Sequence, residues 1–234
     1  MKKVVFLILT FLIGGNYLIA QDNRQDRLGF GFGPSKIYGD NTGVHKKFRF
    51  MVLPAFSVDY HKKLHPYFDL RGTLGWQMIS SGDFYTEGIK RGIANAGLPH
   101  AFNGNVIYAD LMPIMHFNPN LSGYLPAQFK FYGGAGIGAF QSSRTERFLR
   151  IEDETERIET RNSVDRGVYF PFRLGVFKEL YKKNSEIGLE TSVLLSPFGE
   201  LDGNSKKQKT IEPDLLFQVQ IYYRINIGVL YHHY

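Results

Sequence analysis

The chain has 234 residues, no cysteine and a formal net charge of +6. That length suits one large domain, and the absence of thiols excludes both a disulfide framework and a lipid-modified cysteine at a processing site. The 28 basic residues are dispersed rather than clustered, which points away from nucleic acid despite the positive charge.

Residues 1–20 read as a secretory signal peptide. Lys2 and Lys3 form its charged start, residues 4–12 its apolar run, and Leu18-Ile19-Ala20 its cleavage region. The apolar run falls short of the roughly 20 residues that a retained helical anchor needs. Residues 21–234 are then one exported domain, which would not normally meet nucleic acid.

The first expected strand alternates Leu28, Phe30 and Phe32 with Gly29, Gly31 and Gly33, so its inner face carries no side chains and leaves room for its neighbours. After a polar segment, 35–47, period two runs through residues 48–60, with Phe48, Phe50, Val52, Phe56, Val58 and Tyr60 opposite Arg49, Ser57, Asp59 and His61. A short turn, 61–66, leads to residues 67–78, where Phe68, Leu70, Leu74, Trp76 and Met78 oppose Asp69, Arg71, Thr73 and Gln77. Alternation of this kind specifies strands rather than helix. These runs exceed the five or six residues of an ordinary strand and match the roughly 9–11 needed to cross a bilayer.

A mixed segment, 80–104, precedes a fourth strand, 106–117, with Ile107, Leu111, Met115 and Phe117 on one face and Tyr108, Asp110 and His116 on the other. In the fifth, Phe131, Ala135 and Ile137 oppose Lys130, Tyr132, Gly134, Gly136 and Gly138; the glycines alternate with apolar residues, so they belong to a strand and not to a phosphate loop. The most charged segment, 144–166, reads by default as a solvated loop, with an extended hairpin tip or a contact surface for a partner as the alternatives. The sixth strand sets Val168, Phe170, Phe172 and Leu174 against Tyr169, Arg173 and Glu179, the seventh Ile187, Leu189 and Val193 against Glu186, Glu190 and Ser192. The eighth sets Leu215 through Ile227 at every second position against Gln218, Gln220, Tyr222 and Arg224. Beyond it Tyr231 stays in phase with the apolar face and Tyr234 does not.

Eight strands is the even number a transmembrane barrel requires. The connections alternate long (35–47, 80–104, 144–166, 196–213) and short (61–66, 118–128, 182–185), the order expected of surface loops and periplasmic turns. The fold class is therefore an all-β, eight-stranded antiparallel up-and-down transmembrane β-barrel in the outer membrane. A secreted lipocalin-like barrel shares the strand count but would turn its apolar face to a ligand cavity.

With lipid outside, the charged face points inward: Arg49, Asp59, Asp69, Arg71, Asp110, Lys130, Arg173, Glu179, Glu190 and Arg224, with Glu186 among the acids. An eight-stranded barrel is just wide enough for side chains to fill it, and buried charges need partners, so these residues are expected to form an ion-paired lumen plug rather than a pore. Catalytic signals are weak. Asp110 and His116 share a strand face about 20 Å apart. His100 with Ser80 or Ser81 would have to converge at the rim to act as a hydrolytic site, and His61 and His65 in a turn are a poor metal site. No catalytic, cofactor or metal site and no small-molecule substrate is expected.

Several passages together resemble a known family, the small outer-membrane barrels of the Bacteroidetes, especially the PorG-like component of the type IX secretion system. They are the glycine-rich first strand with Tyr38-Gly39-Asp40, the run ending Val58-Asp59-Tyr60, Leu70-Arg71-Gly72-Thr73-Leu74-Gly75, Phe131-Tyr132-Gly133-Gly134-Ala135-Gly136, Phe170-Pro171-Phe172, and Gly188-Leu189-Glu190 followed by Glu200-Leu201-Asp202-Gly203. The resemblance implies a non-enzymatic outer-membrane component that contacts periplasmic proteins of the secretion machinery through its short turns. The leading expectation is thus a structural or assembly component of a protein secretion system. The alternatives are a surface adhesion or ligand-binding barrel working through its long loops, and a lipid-modifying barrel enzyme.

Overall fold

The computed structural model describes residues 25–39, 42, 48–82, 84–119, 128–152, 155–180, 184–197, 201 and 213–227. The proposed signal peptide, the tail at 228–234 and most of the connections 118–128 and 196–213 lie outside the described residues. Among the described residues nine strands and one helix follow in order: β1 (Asp26–Tyr38), β2 (Leu53–His65), β3 (Phe68–Ser80), α1 (Glu87–Asn95), β4 (Ala101–His116), β5 (Lys130–Ala135), β6 (Ile137–Glu152), β7 (Thr155–Leu180), β8 (Ser185–Ser196) and β9 (Asp214–Ile227).

Every strand is antiparallel to its neighbours, and β1 pairs with both β2 and β9, which closes the sheet. β5 and β6 both pair with β4 on one side and β7 on the other. They are two halves of one wall strand interrupted at Gly136, whose N–H still donates to the Pro171 carbonyl at 3.0 Å. The ring therefore has eight positions and no free edge across the bilayer, which is what lipid demands of a spanning sheet, since nothing there can satisfy an open edge. Asp26 and Ile227 pair at the end where the turns are short, which is the periplasmic end by the usual asymmetry of such barrels.

The faces follow the alternation. Each wall position turns large apolar groups outward, for example Phe32, Phe56, Leu74, Leu111, Ile137, Leu174, Leu189 and Ile221, all more than two-fifths exposed. In a water-soluble protein such a continuous belt would be an aggregation surface; around a closed barrel it is the lipid contact. Phe32, Phe56 and Trp76 are cross-strand partners in one row, with ring centroids 4.8 and 5.7 Å apart.

Inside, four tyrosines each lie flat across a glycine directly opposite in the ladder: Tyr108 over Gly75, Tyr132 over Gly175, Tyr169 over Gly138 and Tyr222 over Gly188. A Cβ on any of these glycines would stand 2.0–2.6 Å from the phenol ring. The missing side chain is filled by the neighbour's ring, a device that pins register and covers the bare backbone. The inner glycines of β1 serve charge instead: a Cβ on Gly29 would lie 2.6 Å from Asp59 Oδ1 and 2.7 Å from Arg224 Cγ.

Three expectations need correction. The second strand begins at Leu53, not Phe48, because the ladder with β1 ends at Ser35↔Leu53 and Phe48 takes a positive φ of 54° that breaks the pleat. His61 lies not in a turn but inside β2, buried; the turn is Pro66–Tyr67 after a bulge between Lys63 and His65. Residues 144–166 are the extended hairpin rather than the solvated loop, since the β6–β7 ladder continues without a register change to Glu152↔Thr155. The mixed segment 80–104 holds α1, a weak helix with Gly88 and Gly92 inside it. It is pinned by Arg91 to Glu156 of β7 at 2.8 Å and stopped at Gly97, whose φ is +68°.

Two measurements check this architecture. Leu74→Arg, mid-strand on the outer face, is expected to cost about 2–4 kcal/mol in denaturant titrations of the protein in lipid vesicles, and Leu64→Arg beside the periplasmic turn about 0–1 kcal/mol. Gly75→Ala is expected to cost about 1–3 kcal/mol through overpacking against Tyr108, whereas Gly72→Ala, whose Cβ would meet nothing within 4 Å, should be close to neutral; equal costs would show that the rings do not fill the glycine sites.

Candidate functional site

The inward positions of all eight wall strands converge on two linked charge clusters. In the central one, Glu190 of β8 receives Arg71 from β3 at 2.5 Å, Arg224 from β9 at 3.4 Å and the hydroxyl of Tyr132 from β5, with Arg173 Nε of β7 at 3.6 Å. Arg224 Nε and Arg71 Nη2 also donate to the two oxygens of Asp59, at 3.0 and 3.2 Å. Arg173 grips Asp110 of β4 with both terminal nitrogens, at 2.7 and 2.6 Å, while Tyr169 donates to the same carboxylate at 2.6 Å and Thr73 lies 3.2 Å from Arg173. The Arg224 guanidinium also stacks on Tyr222, 3.6 Å from the ring centroid.

The second cluster sits nearer the periplasmic end. Arg27 Nη1 of β1 donates to both oxygens of Glu186 of β8, at 2.8 and 2.9 Å, and its Nη2 donates to Asp69 of β3. His116 Nε2 lies 2.6 Å from the same Asp69. His61 joins the clusters, with Nε2 2.9 Å from Asp59 and Nδ1 3.8 Å from Asp69. At the rim Lys130 pairs with Glu179, whose side chain is partly exposed.

Of the residues expected in the plug, Asp59, Asp69, Arg71, Asp110, Arg173, Glu190 and Arg224 are buried in these networks, and Lys130 and Glu179 form their outer pair. Arg49 is not part of it. It is exposed in the segment before β2, because the alternation that placed it inside stops at Leu53. The expected set lacked Arg27, His61 and His116. Arg27 is in phase with Gly29 and Gly31, so extending the first strand by one residue would have found it.

Taking a charge out of water costs several kcal/mol, and only close, hydrogen-bonded partners offset that. Here every guanidinium meets at least one carboxylate, so the lumen is charge-rich and closed. Apolar side chains complete the seal. Met112, Ile114, Tyr132, Phe177 and Tyr222 pack in one cluster. Ile37, Ile79, Phe102, Phe140, Leu194 and Leu216 belong to a second one that closes the lumen toward the hairpin, and above it Arg144 binds Glu146 at 2.8 Å and also Asp165.

Of the rim residues weighed for chemistry, His100 is buried with its backbone N–H on the Arg147 carbonyl at 2.9 Å, and the two serines are engaged through their hydroxyls. Ser80 Oγ bonds Asn103 Oδ1 at 2.5 Å, and Ser81 Oγ accepts the Phe102 N–H at 2.9 Å and donates to the Gly82 carbonyl. His65 Nδ1 accepts the Tyr67 N–H at 3.3 Å within its own turn. Asp110 and His116 serve different clusters.

Outside the lumen, the feature sequence reasoning left open is the hairpin. β7 runs 26 residues, and from Val168, its last outward belt residue, to Thr155 it covers roughly 40 Å of strand. Between the end of α1 and this hairpin lies a cavity of about 390 Å³.

Compared by sequence, the chain matches no protein-family profile and no curated protein. Compared by structure, it is similar to Neisserial surface protein A, with a TM-score of 0.51 at 7% identity over 86% of this chain and 97% of that one. It is also similar to Ail, the attachment invasion locus protein of Yersinia pestis, at 0.42, with 10% identity over 87% and 99% of the two chains. The N-terminal β-barrel domain of Pseudomonas aeruginosa OprF gives 0.41, with 9% identity over 86% and 98%. Likeness at such identity speaks to fold alone: with its closed ring and lipid-facing belt, the chain is an eight-stranded outer-membrane β-barrel.

Asp110→Asn is expected to destabilise the barrel by about 3–5 kcal/mol in vesicle unfolding, because it removes the carboxylate that both terminal nitrogens of buried Arg173 grip. The double change Asp110→Leu with Arg173→Met, which removes both charges, should recover most of that loss; a double variant as unstable as the single one would show that more than pairing is at stake.

Proposed function

We propose that the chain is a non-enzymatic outer-membrane anchor that holds a rigid β-hairpin and α1 above the outer leaflet to bind a partner outside the cell. The observation that carries this reading is the unbroken β6–β7 ladder, which rises well past the lipid belt to Glu152↔Thr155. A pore would need an open lumen, and this one is filled by paired charge. A hydrolytic centre at the rim would need a free nucleophile, whereas the hydroxyls of Ser80 and Ser81 are engaged with neighbouring groups. The charged hairpin is also ordered by its own contacts: Arg150 Nε binds Glu159 at 2.6 Å, Arg166 Nε binds Gln141 at 2.9 Å and Arg91 joins Glu156.

A second reading, a structural or assembly component of a type IX-like, PorG-like secretion system, is supported by one surface at the opposite end. Leu64 stands exposed between Lys63 and His65 beside the β2–β3 turn, where a periplasmic protein of the machinery would dock. The passage that resembles that family most specifically, Gly188-Leu189-Glu190, has a barrel role of its own: Gly188 seats Tyr222 and Glu190 gathers the arginines.

The two readings part in cells. Replacing residues 146–161 by a two-residue turn is expected to abolish attachment of protein-displaying cells to their extracellular partner surface while the barrel still migrates differently before and after boiling on gels. Attachment that survives the shortening overturns the binding reading. Cargo retained in the periplasm of a deletion strain, and rescued by the shortened chain but not by Leu64→Asp, would favour the secretion component instead.

A further inference from the structure

The inward face of the hairpin carries three arginines, Arg150, Arg157 and Arg161, of which Arg150 is paired with Glu159. Arg150 and Arg157 stand directly opposite each other in the ladder, and Arg161 stands opposite Glu146. Like charges in facing positions destabilise a sheet pair. The nearby acids do not relieve it fully, since Glu146 is held by Arg144 and Glu159 by Arg150. Among the described residues Arg157 and Arg161 therefore have no acidic partner.

Arg161, with Arg150, borders the cavity of about 390 Å³ beside α1, which is large enough for a small ligand. Its walls include Asn95, Leu98, Phe148, Arg150, Glu159 and Arg161. The set is mixed in a specific way. Phe148 and Leu98 offer an apolar floor of the kind that packs against the C–H face of a sugar ring. The Asn95 amide can donate and accept, and the Glu159 carboxylate can accept from hydroxyls. The Arg161 guanidinium is left to make a forked, charge-assisted bond to a carboxylate. Glu159 between two arginines disfavours a polyphosphate, whose charge it would repel, and suits a ligand with one acidic group among several hydroxyls.

We infer that the cavity between α1 and the β6–β7 hairpin is a binding site for an acidic saccharide, with Phe148 as its platform and Arg161 as its carboxylate clamp. The inference rests on the surface-binding reading and names the ligand class of that surface. Arg161, Glu159 and Arg157 are in phase with Asp165 and Tyr169, so they lie on the face that lower down lines the lumen, turned from the side that meets lipid. The same sugar chemistry has two sources, a soluble glycan outside the cell or a lipid-linked glycan of the outer leaflet.

The test uses the purified full chain in detergent, titrated calorimetrically with oligogalacturonate, oligoglucuronate and sialyllactose, and with inorganic phosphate and methyl-esterified oligogalacturonate as controls. At least one acidic sugar is expected to bind, esterification to weaken binding about tenfold or more, and Arg161→Gln and Phe148→Ala each to weaken it about tenfold, with Arg161→Lys retaining part of the affinity. Absence of binding to all three sugars, equal binding of the ester, phosphate binding as tightly, or an unchanged Arg161→Gln variant that still shows the folded gel shift would each overturn the site. Repeating the titration in nanodiscs with and without lipopolysaccharide separates the sources: competition identifies a lipid-linked glycan, and none identifies a soluble one. Attachment lost on shortening the hairpin but kept in Arg161→Gln would sink the sugar site alone. Attachment kept on shortening would sink the surface-binding reading, while calorimetry still reports on the cavity.

Discussion

Glu190 sits among three guanidinium groups and one phenol, all drawn from different strands and all almost fully buried. Much of the interior depends on that carboxylate. The wall must be apolar outside, so polar side chains have nowhere to go but inward, and inward is a space too narrow to hydrate them. The only stable arrangement is a closed circuit of opposite charges: Asp110 to Arg173, Arg173 to Glu190, Glu190 to Arg71 and Arg224, and both of these to Asp59. Through His61 the circuit reaches Asp69, Arg27 and Glu186. The structure thus trades the usual oily core for a salt-like one, with apolar clusters and tyrosines filling the space around it.

The tyrosines explain why glycine is so frequent in the strands. A barrel of this size has room for large side chains on alternate strands only if their neighbours give way, and at four places the neighbour gives way completely. Tyr108, Tyr132, Tyr169 and Tyr222 occupy volume that their ladder partners leave empty. Three of these phenols, Tyr132, Tyr169 and Tyr108, then hydrogen-bond polar partners in the lumen, Glu190, Asp110 and Gln218 respectively, so the same residues join backbone packing to the charge circuit.

Most of the wall was legible in the sequence because one physical cause, lipid on one side and a packed interior on the other, imposes period two over long runs. Leu74, Ile137 and Ile221 faced where alternation placed them, and Asp59, Arg71 and Arg224 faced opposite. The signal failed where its cause was absent. Residues 144–166 form strands as regular as any in the membrane, yet from 156 to 162 both faces are exposed and the buried inner positions below, Arg144 and Glu146, are charged, so no apolar alternation marks them and they read first as a loop. Arg49 was misplaced for the converse reason: periodic residues continued upstream of Leu53 although the chain had already left the ladder at Phe48. Arg27 was lost at an end, where one residue decides. The α1 helix, interrupted by two glycines and fixed by Arg91 to the hairpin, carries almost no local signature, and neither does a cavity whose facing walls, from Leu98 to Phe148, lie fifty or more residues apart in the chain.

The place where the ring shuts has a consequence for how the molecule is made. Arg224 on β9 reaches Asp59 on β2, and Arg27 on β1 reaches Glu186 on β8, so two of the strongest contacts span the junction between the first and last strands. An unclosed sheet in the bilayer would present those four charges to hydrocarbon with no counter-ion in reach. Insertion and neutralisation must therefore coincide, and a nascent chain of this kind needs a sheltered, wet cradle until its two ends meet.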